Sequence, residues 1–442
     1  MSSSTCGVRQ DADLANLSPP DARNTPRFFY GWVMLPLATL ALIATVPGQT
    51  VGVSAFNPAF RESLNITASQ LGQAYMFGTL LAALPMSYVG ALMDRHGLRR
   101  TITVTVLLFG GACMFIASVN SLWGLFAGFL FLRMLGQGAL GLLSGNTLAF
   151  WFERRLGTVE GLRHVGMAGA IATVPALNLW LIHQVGWRWT YVILGLAVWA
   201  VMLPAMAWLW RNRPEEIGQY KDGLPPVDAG VAVETVYDEA RTSLSLREAL
   251  ASRAYWLIIA CTAIWSMLGT ALMFNALPLL LSRGLTDGDA AWLFAVFGVC
   301  LAVMHVVGGM LADRVPLNLL LAGAMAGLAG AMGMAWRIDA AWMVYPLGAT
   351  MGLSQGLLAS MGPVWPRYFG RSQMGRIRGT SVTVTVAASA MGPFLMGWGF
   401  DLFGDYDRVM LLFTLLPLPL VLLALAATCP ARRTQRLAEV AA

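Results

Sequence analysis

Apolar runs of about 20 residues recur along the whole chain, separated by short polar breaks. A run of that length, coiled as a helix rising about 1.5 Å per residue, covers the roughly 30 Å hydrocarbon core of a bilayer. Inside that core only helices or closed barrels satisfy their backbone groups, so a chain built this way has few choices. The runs predict helices at about 29–56, 71–93, 101–119, 122–150, 165–185 and 190–210. After a polar stretch they resume at about 254–281, 289–312, 317–336, 341–366, 379–402 and 408–428. The expectation is an all-α membrane protein with twelve transmembrane helices in two six-helix halves.

Composition agrees. The 442 residues are 57% hydrophobic and 12% charged, whereas soluble domains carry about 25% charged residues. Five cysteines, Cys6, Cys113, Cys261, Cys300 and Cys429, include no CxxC pair, and three lie in apolar runs, which argues against a disulfide or zinc framework. With the N-terminus placed inside, 23 of the 29 Lys and Arg fall on cytoplasmic segments and five on outer loops. That asymmetry predicts a multi-pass inner (cell) membrane protein with both termini cytoplasmic. It also sets aside nucleic acid as a partner, since the basic residues are dispersed over loops rather than gathered in one stripe. The remaining one, Arg133, lies inside the fourth predicted helix.

The expected organisation is a cytoplasmic tail at 1–27, which has no apolar signal-peptide core, a half at 28–210, a linker at 211–253, a half at 254–428 and a tail at 429–442. Within the linker, Ser245–Leu250 (SLREAL) reads as a short amphipathic surface helix. The two halves repeat each other. Gly90-Ala-Leu-Met-Asp94-Arg95 matches Gly309-Met-Leu-Ala-Asp313-Arg314, Gln137-Gly138 matches Gln355-Gly356, Gly157 and Gly161 match Gly375 and Gly379, Pro175 matches Pro393, and Phe56-Asn57 matches Phe274-Asn275, all at offsets of 218 or 219. Parallel repeats of this kind imply a site at their interface near the bilayer midplane, and alternating access by rocking.

The segment GALMDRHGLRR at 90–100 resembles the loop signature of the major facilitator superfamily. Arg133-Met-Leu-Gly136-Gln-Gly138 resembles that family's motif in the fourth helix, and Gly186-Trp187-Arg188 is also similar. Tyr30-Gly31-Trp32, and SLREAL followed by Tyr255-Trp256, look like the oxalate/formate antiporter and monocarboxylate transporter branch. The resemblance covers 28–428 and implies the major facilitator fold and secondary active transport. It further implies a gate in which Asp94, with Gly90, Arg95, Gly97 and Arg99, faces the start of helix 11 near Gly379. Gly309, Asp313 and Arg314 form a degenerate second copy, with Val315-Pro316 in place of the glycine and arginines. The bland counterpart is a turn that fixes topology.

Arg133 is the one Arg, Lys, Asp or Glu expected deep in a span, where burial costs at least about 2.5–3.5 kcal/mol. It has two readings: a guanidinium held on backbone carbonyls, or a counter-charge for an anionic substrate. His305 falls about where the monocarboxylate and oxalate branches place an arginine. It could bind a carboxylate and carry a proton, or be a neutral core histidine. The oxalate-carrier lysine maps onto Thr385, which argues against oxalate itself. Gln49, Asn57, Asn146 and Asn275 are candidate hydrogen-bonding groups toward a substrate or glue between helices. Tyr75, Trp265 and Trp365 are candidate cavity aromatics or packing residues.

The leading expectation is a transporter of a small organic monoanion, monocarboxylate-like and proton-coupled. The alternative is a proton-driven exporter of lipophilic drugs or metabolites. The histidines are scattered and no P-loop is present, so neither an enzyme nor an ATP-driven pump is favoured. No cofactor is expected. The partners are a small-molecule substrate and membrane lipid, and a monomer suffices.

Overall fold

The computed structural model describes residues 28–153, 155–223, 243–362, 364–370 and 374–430. The expected tail 1–27, the expected tail 429–442 from 431 onward, and residues 224–242 of the expected linker lie outside the described residues. All the described regular structure is helical. Helices α1 (Gly31–Ile43), α2 (Thr50–Ser54) and α3 (Asn57–Leu64) make up the first apolar run. They are followed by α4 (Ala68–Ala83), α5 (Met86–His96), α6 (Leu98–Ala117), α7 (Leu122–Phe131) and α8 (Gly141–Trp151). Helix α9 (Leu156–Trp208) is broken at Gly186, where φ is +78°, a value that a side chain would resist.

The second half holds α10 (Leu246–Leu250), α11 (Arg253–Phe274), α12 (Ala276–Ser282) and α13 (Asp287–Arg314). It continues with α14 (Leu317–Trp336), α15 (Val344–Ala359), α16 (Val364–Phe369), α17 (Met374–Phe403), α18 (Asp407–Leu415) and α19 (Leu418–Leu425). Among the described residues nine helical stretches are long and apolar enough to cross a membrane, α9 being long enough for two passes. Helix 2 of the sequence expectation is interrupted at Pro85 between α4 and α5, and helix 10 is the shorter α15.

Large apolar side chains face outward along the bundle, as lipid contact requires. Trp123, Trp292, Trp342 and Trp398 stand exposed near one end, and Trp32, Trp208 and Trp256 near the other. The second end also carries Arg95, Arg100, Arg155, Arg211, Arg314 and Arg378, and is called the basic end below.

Each side of the linker docks on its own half. Gln219 accepts from Tyr30 N (2.9 Å) and donates to Phe28 O (2.8 Å), and Asp222 accepts from Glu153 N (2.9 Å). On the other side Leu244 N donates to Phe369 O (2.8 Å). The expected surface helix is the single turn α10, capped reciprocally by Ser245 and Glu248.

The repeat is visible as matched breaks. Phe56-Asn57 and Phe274-Asn275 each mark the end of a helix, and Asn57 Nδ2 donates to Phe274 O (2.5 Å). Equivalent points of the two halves thus meet. Pro175 and Pro393 both lie inside helices.

Candidate functional site

A cavity of about 1210 Å³ lies between the halves. One side is lined by Gln49, Thr50 and the stretch from Gly157 to Ile171, the other by Trp265, Met273, Phe297, Leu301, His305, Gln355 and Arg378. Its walls reach Gly157, Met310, Ala312 and Arg378, so it opens at the basic end.

The opposite end is shut by contacts between the halves. Gly72 of α4 sits so close to α17 that a Cβ would lie 2.7 Å from Phe394 Cα and 2.9 Å from Pro393 O. At Gly397 a Cβ would lie 2.5 Å from Ala68 O. The carboxylate of Asp401 accepts from the backbone N–H groups of Ala68 (3.2 Å) and Ser69 (2.7 Å), the first residues of α4. A carboxylate there satisfies unpaired N–H groups and sits at the positive end of the helix. His183 and Asp287 pair at 2.6 Å, and the Arg61 guanidinium lies 5.3 Å from the Phe400 ring centre.

Polar and charged groups gather on the basic side of the cavity. Helix α9 begins at Leu156, nine residues before the predicted start, because 156–164 continue the turn pattern into the boundary region. Glu160, Arg163 and His164 therefore stand at i, i+3 and i+4 on one helix face. Arg163 is 7% exposed and grips Glu160 at 2.6 Å. It also donates to Ser144 Oγ (2.9 Å), whose hydroxyl donates to Ala38 O (2.8 Å), tying α1, α8 and α9 together. Arg133 is therefore not alone in being a buried charge within a helix. His164 Nδ1 is 2.8 Å from Glu160 O, and its ring lies 5.4 Å from that of His305 on α13. Arg378 is exposed and makes no hydrogen bond or ion pair among the described residues.

Gln49 and His305 line this cavity. Gln49 is the extended residue between a 3-10 turn at Val46–Gly48 and α2, so the Pro47-Gly48 break does turn a polar group inward; it also donates to Thr45 Oγ1 (3.0 Å). Arg133 sits one layer behind. It begins a π-helical segment, Leu132–Leu140, donates to Gly48 O (3.3 Å), and stacks 4.9 Å from the Tyr75 ring centre. Tyr75 OH bonds Thr50 Oγ1 (2.7 Å), which does reach the cavity. Gly48 allows this approach, since a Cβ there would meet Leu132 O at 2.4 Å.

The other expected binding residues are placed elsewhere. Asn57 joins the halves at the closed end; Asn146 contacts Met93 Sδ (3.3 Å); Asn275 donates to Ala271 O of its own helix (3.1 Å). Trp365 is 8% exposed, stacks on Phe369 and meets Tyr255 edge-on, because the short helix α16 turns it into an aromatic cluster; it is not among the residues lining this cavity. Trp265 takes the lining position instead, its indole donating to Ser354 Oγ (2.7 Å).

At the expected gate, Gly97 has φ +84° and forms the turn between α5 and α6. Arg99 donates to Met206 O (2.9 Å) and Ala207 O (2.5 Å), bracing its own half. Arg95 and Arg314 are exposed, and nothing among the described residues lies within 4 Å of a Cβ built on Gly90 or Gly379. Asp94, Gly309 and Asp313 fall within helices, and their side-chain surroundings lie outside the described residues.

Residues 37–358 match the family model of the Major Facilitator Superfamily, so the chain belongs to that family. It is similar to the 3-(3-hydroxy-phenyl)propionate transporter of Escherichia coli, 26% identical over 84% of this chain and 88% of the relative. It is also similar to a probable galactarate/D-glucarate transporter of Bacillus subtilis, 25% identical over 45% of this chain and 43% of the relative. A probable sulfoacetate transporter of Cupriavidus necator is 24% identical over 38% of each chain. The protein is a multi-pass membrane transporter.

Proposed function

We propose that the protein carries a small organic monoanion, with a carboxylate head and an apolar body, across the inner membrane by alternating access coupled to protons. One observation carries this reading. Arg378, without a partner among the described residues, and the His164–His305 pair stand on a cavity otherwise walled by Trp265, Met273, Phe297, Leu301 and Ile171. Glu160 and Arg163 cancel each other, which leaves Arg378 as the unbalanced charge among the described residues around the cavity. An anion neutralises that charge while its body replaces water on the apolar wall. The names of the three relatives support the class: an arylpropionate, a sugar diacid and a sulfonated acetate are all organic anions. The apolar wall favours the first, a monocarboxylate, and is consistent with the monocarboxylate branch.

In this reading the chain has twelve spans with 28–210 and 254–428 as the two halves and both termini cytoplasmic. The basic end then faces the cytoplasm, so the state described is open inward. Arg133 holds the helix break that presents Gln49 and Thr50, and a monomer suffices.

The test is thermal melting of the full chain in detergent with 3-arylpropionates, diacids, neutral solutes and lipophilic cations. A ligand at a hundredfold excess over its Kd adds about 2.7 kcal/mol. An arylpropionate should raise the melting temperature, and Arg378→Gln should remove most of that rise. A rise only with lipophilic cations, unchanged in Arg378→Gln, would overturn the anion reading in favour of export.

A further inference from the structure

Helices α9 and α13 run antiparallel and form one seam between the halves. At its middle, a Cβ on Gly298 would lie 2.6 Å from Ala168 O and 2.7 Å from Ala172 Cβ, so the backbones touch because that residue is glycine. A histidine contact crosses the seam on each side of this point. Toward the closed end, roughly 16 Å along α13 at about 1.5 Å per residue, His183 Nε2 meets Asp287 Oδ2 at 2.6 Å. Toward the basic end, roughly 10 Å away by the same rise, the rings of His164 and His305 lie 5.4 Å apart, both on the cavity wall.

These contacts respond to protons with opposite sign. An imidazolium at His183 strengthens its pair with Asp287 and holds the closed end shut. Charging both His164 and His305 makes them repel and opposes closure of the basic end. Because the contacts lie on opposite sides of a shared fulcrum, the two responses add. We propose that His164 and His305 are a proton-binding site of this transporter, and that protonating them and His183 favours the conformation described here. This rests on the alternating-access part of the proposed function and is independent of the substrate.

The surrounding charges fit. Around the inner pair stand Glu160 and Arg163 on α9 and Arg378 on α17. Glu160 lies 3.7 Å from His164 Nδ1 but is already engaged by Arg163. One imidazolium is therefore tolerated beside Glu160, and a second, one ring away, is repelled by the first. Gln49 and Thr50, facing from the first helices, are neutral. At the outer pair, Asp289 is held in its capping box with Thr286, and Arg188 by Val119 O (2.9 Å) and Asn120 Oδ1 (2.5 Å).

The test uses full-length protein in lipid nanodiscs without substrate, spin-labelled at exposed positions 100 and 319 to report the width of the basic end. Between about pH 8 and about pH 4, the long-distance population should rise by about fivefold or more. The double variant His164→Gln/His305→Gln should lose most of that rise. His164→Lys/His305→Lys, which carries both charges throughout the range, should keep the long population at every pH. His183→Gln should remove a further part. Gln and Lys variants move the readout in opposite directions, which misfolding cannot imitate. A wild-type pH response in the double Gln variant, or a wild-type pH response in the double Lys variant, would overturn the proposal. A full response in His183→Gln would overturn the outer half of it. Loss of the arylpropionate shift with an intact pH response would discard the substrate alone.

Discussion

The two ends of the molecule use the same residue type to opposite effect. At the closed end glycines sit against backbone of the other half: Gly72 on Pro393 and Phe394, Gly397 on Ala68. At the basic end Gly90, Gly157, Gly161 and Gly379 meet nothing among the described residues within 4 Å of where a Cβ would stand. Small residues within membranes let helix backbones approach closely, where lipid gives no hydrophobic drive to do so. The closed end shows that contact made. The basic end keeps the same surfaces unpartnered, as a molecule needs if both ends take turns closing. Closure at one end is built of backbone contact and a carboxylate at a helix N-terminus, and the other end has the glycines for the same device.

The sharpest way to break this comparison is to fill the tight glycine. Leucine at position 72 would have to enter space held by the α17 backbone, which cannot withdraw as a flexible side chain could. Overpacking costs about 1–3 kcal/mol. That cost falls only on the state in which this end is shut. Gly72→Leu should therefore move the population toward opening at this end by roughly tenfold or more and nearly abolish transport. Maleimide labelling of a cysteine placed at Thr50, on the cavity wall, from the outer side of proteoliposomes checks it. Unchanged labelling would show that the α4–α17 contact is not the closure.

Asp401 gives a smaller effect at the same end. Asparagine keeps its size but removes the charge that faces the start of α4, leaving neutral hydrogen bonds to Ala68 and Ser69. A charge at a helix N-terminus contributes about 0.3–1 kcal/mol. Asp401→Asn should raise outer-side labelling of the same cysteine about two- to fivefold by that contribution, while melting changes little.

This device shows what was and was not legible in the sequence. Apolar run length located most helices, and the repeat paired Phe56-Asn57 with Phe274-Asn275, where the structure shows matched breaks. The family resemblance implied a carboxylate facing a helix N-terminus, Asp94 at the start of helix 11. The structure displays the arrangement with roles exchanged, Asp401 of α17 on the start of α4. A sequence carries both candidate contacts and has no term for which conformation is populated. The cavity polarity was missed for a different reason. Starting the fifth helix at 165 put Glu160, Arg163 and His164 in a loop, which hid the one-face spacing that brings His164 to His305. Arg133 drew attention because burial of a lone charge is costly. Its carbonyl and ring partners, Gly48 and Tyr75, come from two other segments, and no local pattern could reveal them. Trp365 is a further case, its surroundings being set by Tyr255 and Phe369.

The gentlest test lies at the open end. Gly90 and Gly161 are both helical and both have room for a methyl group in the state described. Alanine in a helix interior is favoured over glycine by up to about 1 kcal/mol, because less backbone freedom is lost. Gly90→Ala and Gly161→Ala should therefore each raise the melting temperature by a few degrees while the basic end is open. If these surfaces pack when that end closes, the same methyl group must be accommodated there and opposes closure. Both variants should then slow uptake several-fold despite being more stable, a combination that general damage to the fold does not produce. Greater stability with wild-type uptake would mean that the two glycines stay clear in every state. The likeness between the two ends would then stop at their composition.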